Sequence, residues 1–137
     1  MAKRESDREG VEVLPENLAL TNGSMQALTL IAEALMKGKD DVVVTEELTY
    51  SGTIGAYRRL GITMVGVPLD DQGMRVDALE KTLQRLYDQG TPPRFIYTLA
   101  TYQNPTGSVM PRTRRIELLE VARRFDCVVV EDNCYGD

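Results

Sequence analysis

Histidine is missing from all 137 residues, and cysteine occurs only at Cys127 and Cys134. A zinc site would have just those two thiolates and carboxylates to draw on, so no metal centre is expected. Two free thiols in a reducing compartment are the simpler account of the pair. There is no apolar run of the ~20 residues that span a bilayer, and the opening "MAKRESDREG" lacks the apolar centre of a secretion signal. These absences make the expected protein cytoplasmic, with no membrane partner. Positive charge is also in deficit, with 16 Lys and Arg against 21 Asp and Glu. The arginines are scattered or sit on helix faces, so no basic field awaits a phosphate backbone and nucleic acid is not an expected partner of this segment.

What is there suits a folded core. Hydrophobic residues make up 42% and charged residues 27%, too apolar a mixture for a disordered chain. One domain's worth of chain is present, able to bury roughly two-thirds of its unfolded surface.

Short β-rich runs alternate with helical patterns along the chain. The strand candidates are "NLALTN" (17–22), "DVVVTE" (41–46), "TMVGVPLD" (63–70), "RFIYTLA" (94–100) and "CVVVEDN" (127–133). Between them lie helix candidates at 24–38, 50–61, 76–90 and 111–125. Apolar residues at Met25, Leu28, Ala32 and Leu35, and again at Val76, Leu79, Leu83 and Leu86, recur every three or four positions and make single stripes. Gly38, Gly61 and Gly90 are expected left-handed helix ends, and Asp77 with Glu80 an aspartate capping box that starts the third helix. The valine runs are continuously apolar, as a sheet covered on both faces requires. The expected fold class is α/β, a mainly parallel sheet with helices on both faces. "QGTPPR" reads as a loop within one domain rather than a boundary.

Ligands of such sheets gather at the carboxyl ends of the strands, and four strand-to-helix turns carry polar residues. In "TNGSMQ", Gly23 and Ser24 open a helix whose free amides favour an anion such as phosphate, with Gln26 able to add a bond. Ser24 as a plain helix N-cap is the competing reading. Tyr50 in "TEELTYSG" suits stacking on a flat ring, or burial as an ordinary core aromatic. In "TYQNPTG", Pro105 and Gly107 shape the backbone around Asn104, whose amide either donates to a ligand or closes an Asx-type turn. In "EDNCYGD", Asp132 ends an apolar strand with Tyr135 three residues on. A carboxylate buried there calls for a cation, either an arginine or a ligand nitrogen.

Together "TNGSMQAL", "TYSG" followed by "RRLG", "QNPTG" and "VVVEDNCYGD" resemble, in order and spacing, the pyridoxal-phosphate-dependent aminotransferases of fold type I, class I/II, including 2-aminoadipate-type enzymes. The likeness runs from about Gly10 to Asp137. It implies the cofactor pyridoxal 5'-phosphate, with its phosphate on Gly23, Ser24 and Met25. It also implies Tyr50 stacking on the pyridine ring, Asn104 and Tyr135 bonding the ring's phenolic oxygen, and Asp132 pairing with the protonated ring nitrogen. A cis bond before Pro105 is expected by the same likeness. The implied reaction moves an amino group between an amino acid and a 2-oxo acid, in a homodimer.

Two positions depart from the pattern. Leu48 and Ala100 stand where relatives have proline, which leaves the Tyr50 turn less preset. The family's covalently bound lysine is expected beyond Asp132, where this sequence has none: its lysines are Lys3, Lys37, Lys39 and Lys81. Residues 1–137 therefore read as a partial large domain, without the lysine-bearing half and the small domain, and no catalytic residue is assigned within it. The rival reading is the aminotransferase-like sensing domain of a GntR/MocR-type transcription regulator. A third, an unrelated doubly wound binding domain, must explain four matched turns separately.

Overall fold

The computed structural model describes residues 1–38 and 40–135. Lys39 and the Gly136–Asp137 end of the fifth turn lie outside the described residues. In chain order the elements are helix α1 (Ala2–Glu9), a 3-10 turn (Pro15–Asn17), α2 (Ser24–Leu35), β1 (Val42–Glu46), α3 (Ser51–Arg59), β2 (Thr63–Val67), β3 (Leu69–Asp70), β4 (Gly73–Met74), α4 (Val76–Asp88), β5 (Phe95–Thr98), α5 (Arg112–Arg124) and β6 (Val128–Glu131).

Four strands form a parallel sheet in the order β2-β1-β5-β6. Val44 lies in register with Val65 on one side and Ile96 on the other, and Tyr97 with Val130. Side chains alternate between the faces of a strand, and each face here has its own apolar layer. Val42, Val44 and Ile96 meet Leu79, Leu83 and Leu86 of α4 and Leu118 and Val121 of α5. Val43, Phe95, Tyr97 and Val130 meet Leu28 and Ala32 of α2 and Tyr57 of α3. The expected two-faced cover is therefore built, and the two valine-rich strands differ by position. All five residues of β1 are buried, whereas β6 is a sheet edge and leaves Val128 51% exposed.

Several expected elements fall differently. "NLALTN" is not a strand: Leu18 is extended, but Leu20 is 77% exposed and no described strand pairs with the segment. An extended run becomes a strand only where a neighbour supplies backbone donors and acceptors. "TMVGVPLD" breaks at Pro68, which has no N–H to donate. Beyond the proline the chain forms an unexpected antiparallel pair, Leu69 with Met74 and Asp70 with Gly73.

α1 is a further element without an apolar stripe to announce it, being polar nearly all round, and it closes on Gly10 at φ 69°. Gly61 and Gly90 do come after α3 and α4, at φ 73° and 71°. Gly38 does not cap α2, which stops at Leu35 with Met36 extended. The Asp41 carboxylate accepts the Lys37 and Gly38 amides there instead. The capping box is absent too. α4 begins at Val76 after Arg75, Asp77 pairs with Arg75 at 2.7 Å, and Glu80 pairs with Arg124 at 2.8 Å.

Candidate functional site

Because the sheet strands are parallel, the ends of β1, β5 and β6 lie at one edge, and each delivers a turn to it. The β1 turn runs through Glu46 and Thr49 to Tyr50, the residue that caps α3. The Tyr50 ring lies half-buried against the α2–α3 layer. It also folds over Gly52, where an added Cβ would sit 2.4 Å from its Cε1. Proline is not needed for that placement, and Leu48 in its stead is exposed.

The β5 turn is shaped by Gln103 rather than by its neighbour. Gln103 is 1% exposed. Its Nε2 donates to Glu46 Oε2 at 3.2 Å and to the Leu48 carbonyl, while its Oε1 accepts the Thr106 amide at 2.9 Å and the Thr106 hydroxyl at 2.7 Å. Gly107 completes the bend at φ 75°, and the Asn104–Pro105 peptide is cis, as expected. The Asx-type turn does not form. The Asn104 side chain, half-buried, has no hydrogen-bond partner among the described residues.

At the end of β6, Asp132 is 6% exposed. Neither of its carboxylate oxygens faces an arginine. Tyr97 Oη donates to Oδ2 at 2.9 Å and the Cys134 thiol to Oδ1 at 3.2 Å. Tyr97 Oη in turn lies 3.0 Å from Thr53 Oγ1. Burial pushes the Tyr97 hydroxyl pKa up, and Asp132 adds to the shift. The same two causes raise the Cys134 thiol, with its hydrogen bond to Asp132 contributing as well. The nearby arginine of α5, Arg115, is engaged elsewhere. It pairs with Glu131 at 3.0 Å and donates to the Ala100 and Met110 carbonyls. Of the two cations weighed from sequence, the arginine is thus ruled out among the described residues.

α2 opens with Gly23 as its cap, at φ 77°, and Ser24 as its first helical residue. Ser24 is therefore not the N-cap. Its hydroxyl and the amides of Ser24, Met25 and Gln26 have no partner among the described residues. Gln26 accepts the Asn22 amide at 2.6 Å. α2 runs alongside α3 in the same sense: Met25 and Gln26 face Ala56 and Arg59, and Ala32 and Met36 face Gly61 and Ile62. No hydrogen bond ties the Gly23–Ser24–Met25 turn to Tyr50, Asn104 or Asp132. Tyr135 is 54% exposed and forms no hydrogen bond or ring contact among the described residues, which do not tie it to Asn104 or Asp132.

Three side chains of this edge escaped the sequence reading. Tyr97 donates to Asp132, and Thr53 bonds Tyr97 behind it. Glu46, 1% exposed, accepts Thr98 Oγ1 at 2.7 Å and the Leu99 amide at 2.9 Å on Oε1, and Thr49 Oγ1 and Gln103 Nε2, both at 3.2 Å, on Oε2. Burial pushes its pKa above the ordinary 4.5, against the lowering pull of those four donors. A tyrosine inside an apolar strand was the available signal for Tyr97, since a buried hydroxyl needs a partner.

The ends of β5 and β6 thus offer a buried carboxylate held by neutral donors and, in the turn after the adjoining strand, an unengaged amide; α2 separately offers a helix start with free N–H groups. The profile for aminotransferase class I and II matches residues 1–137. This chain belongs to that family. Over 131 residues it is 39% identical to the aromatic-amino-acid aminotransferase 1 of Thermococcus litoralis, covering 96% of this chain and 31% of that enzyme. It is 30% identical over 127 residues to the HTH-type transcriptional regulator YisV of Bacillus subtilis, covering 93% of this chain and 25% of the regulator. Among solved structures, the alpha-aminoadipate aminotransferase of Thermus thermophilus, complexed with N-(5'-phosphopyridoxyl)-L-leucine, superposes with a TM-score of 0.83 at 35% identity, over 98% of this chain and 32% of that one. The fold is therefore the fold type I aminotransferase architecture expected from sequence, and the chain spans about a third of the length of the family enzymes it matches.

Proposed function

We propose that this segment is the cofactor-binding part of a pyridoxal 5'-phosphate-dependent aminotransferase that passes an amino group between an amino acid and a 2-oxo acid. The observation that carries the proposal is Asp132: a carboxylate buried at a strand end, with two neutral donors and no cation among the described residues. A buried charge without a counter-ion is costly, and a protonated ring nitrogen is the partner it lacks. The residues fit the group elsewhere too. Asn104 has a free amide for an oxygen, and the amides of Ser24, Met25 and Gln26, with the Ser24 hydroxyl, suit a phosphate.

When bound, the cofactor supplies an electron sink for the amino acid's α-carbon, and a carboxylate that keeps its ring protonated deepens that sink. Asp132 holds the proton on the ring nitrogen, Tyr50 fixes the ring plane, and Gly23, Ser24 and Met25 anchor the phosphate. Tyr135 belongs to the proposal only as a second donor to the phenolic oxygen. None of this chain's own lysines is assigned a part in the reaction. The enzyme acts in the cytoplasm as a homodimer.

The test is the full-length protein with added cofactor, an amino acid and a 2-oxo acid, assayed for amino transfer with and without Asp132→Ala. Loss of both turnover and cofactor affinity in the variant is expected, and unchanged values would refute the assignment. The likeness to YisV favours one other reading, a ligand-sensing domain fused to a DNA-binding module. Cofactor binding without turnover in the full-length protein, together with a winged-helix segment upstream of Met1, would select it.

A further inference from the structure

We infer that Glu46 is a positioning residue whose buried carboxylate ties the turn carrying Tyr50 to the turn carrying Asn104, and so sets the ring-stacking aromatic and the amide donor in one fixed relation. The inference rests on the proposed cofactor reading.

Glu46 ends β1, and its four hydrogen bonds divide between two strands. Thr49 Oγ1, at 3.2 Å, belongs to the residue just before Tyr50. Gln103 Nε2, at 3.2 Å, belongs to the residue just before Asn104. Thr98 Oγ1 and the Leu99 amide, at 2.7 and 2.9 Å, fix the same carboxylate to the end of β5. Gln103 then returns to the first turn by donating to the Leu48 carbonyl, and holds its own turn closed through Thr106. Both turns are thus tied to one anchor.

The chemistry asks for a carboxylate. Four donors converge, and an ionised carboxylate offers about four acceptor positions. Glutamine of the same shape would offer two and bring two N–H donors of its own, which must point at either the Thr98–Leu99 pair or the Thr49–Gln103 pair. Gln103 cannot turn its amide over to compensate without giving up Thr106. Glu46 is buried with no cation paired to it among the described residues, and its bonds run to the two turns instead, as expected of a group that works through its neighbours.

The experiment uses the full-length protein and its Glu46→Gln variant, both freed of cofactor. Pyridoxamine 5'-phosphate, which needs no covalent bond to the protein, is titrated while the circular dichroism induced in its absorption band is followed. Inorganic phosphate is titrated in parallel by its competition. Glu46→Gln is expected to weaken pyridoxamine 5'-phosphate by about 10-fold or more, to lower the ellipticity per bound ligand, and to leave phosphate affinity unchanged. Leu83→Ala, in the opposite apolar layer, is the control for simple destabilisation, and should keep the full ellipticity per bound ligand. Equal ellipticity in Glu46→Gln and the unsubstituted protein, or an equal loss in Leu83→Ala, overturns the inference. If Glu46→Gln does not fold, Thr49→Val must show the lowered ellipticity and Thr49→Ser must restore it; an unaltered Thr49→Val overturns it as well. No induced signal from the unsubstituted protein would instead overturn the cofactor reading, and this inference with it.

Discussion

Tyr97 donates its hydroxyl hydrogen to Asp132 Oδ2 across 2.9 Å, joining β5 to the end of β6 through side chains where the backbone ladder stops. With its hydrogen committed to the carboxylate, the Tyr97 oxygen is left to accept from Thr53 Oγ1 at 3.0 Å. The chain of donation therefore runs from Thr53 to Tyr97 to Asp132, and it aims the carboxylate from within the α2–α3 layer. Tyr57 packs edge-on to Tyr97, with ring centroids 6.1 Å apart, and its own buried hydroxyl has no hydrogen-bond partner among the described residues.

Replacing Tyr97 by phenylalanine keeps the ring packing and removes the donor. Asp132 then loses a bond to a buried charge, and Thr53 loses its acceptor. A fall of about 1.5–3 kcal/mol in the stability of the full-length protein is expected, read from urea unfolding, along with weaker cofactor binding. Thr53→Val removes only the outer bond and should cost about 1 kcal/mol. Equal effects of the two substitutions would show that the carboxylate does not depend on Tyr97.

Gln103 and Asn104 are neighbours with opposite duties. Gln103 makes four hydrogen bonds, one of them to a buried carboxylate, and Asn104 makes none. Gln103→Ala should therefore destabilise the protein by about 3 kcal/mol. Asn104→Ala should leave stability within about 0.5 kcal/mol while weakening the cofactor. Thermal unfolding in the cofactor-free state separates the two, and a large loss in Asn104→Ala would place that amide in the fold instead.

Local patterns could be read wherever structure depends on near neighbours. Leu79, Leu83 and Leu86 announce α4 by their spacing, and the β1 valines announce a strand covered on both sides. The approximate position of Asp132 is equally local, since an acidic residue ending such a run must lie at a strand end. Glu46 was invisible for the opposite reason. "VVVTEELTY" reads as a strand running into a polar turn, and three of the donors that draw this carboxylate inward lie 52, 53 and 57 residues away. "NLALTN" failed similarly, because its propensity suits a strand but a ladder partner is a property of the rest of the sheet.

Gly52 leaves room for the Tyr50 ring, so Gly52→Ala tests whether ring placement matters for ligand binding. The new Cβ would meet Tyr50 Cε1 at 2.4 Å and Cζ at 2.7 Å, and the half-buried ring can swing away at little cost to the fold. Alanine is also the better helix former at this position. Stability should hold or rise slightly, while cofactor affinity drops about 3- to 10-fold as stacking is lost. Calorimetric titration of cofactor into the full-length variant checks this, and unchanged affinity would remove Tyr50 from the binding surface.

Two carboxyl groups should slope the stability of this protein with pH in opposite senses. Asp41 is held down to about 2, chiefly by its hydrogen bond with Arg94, so its contribution is complete above its unfolded value of 3.8 and is lost as pH falls toward 2. Removing the partner with Arg94→Ala should lower stability at neutral pH, and the deficit should close between about pH 4 and pH 2. Glu46 runs the other way. Its folded value is raised above 4.5 by burial, so the folded state holds the proton more tightly and stability declines as pH rises through that raised value. Glu46→Gln carries no such proton and should lack this decline. Urea midpoints measured from pH 2 to pH 8 on the full-length protein and both variants separate the two effects. A deficit in Arg94→Ala that persists undiminished at pH 2 would mean that packing of the arginine, rather than its charge, holds the Asp41 corner together.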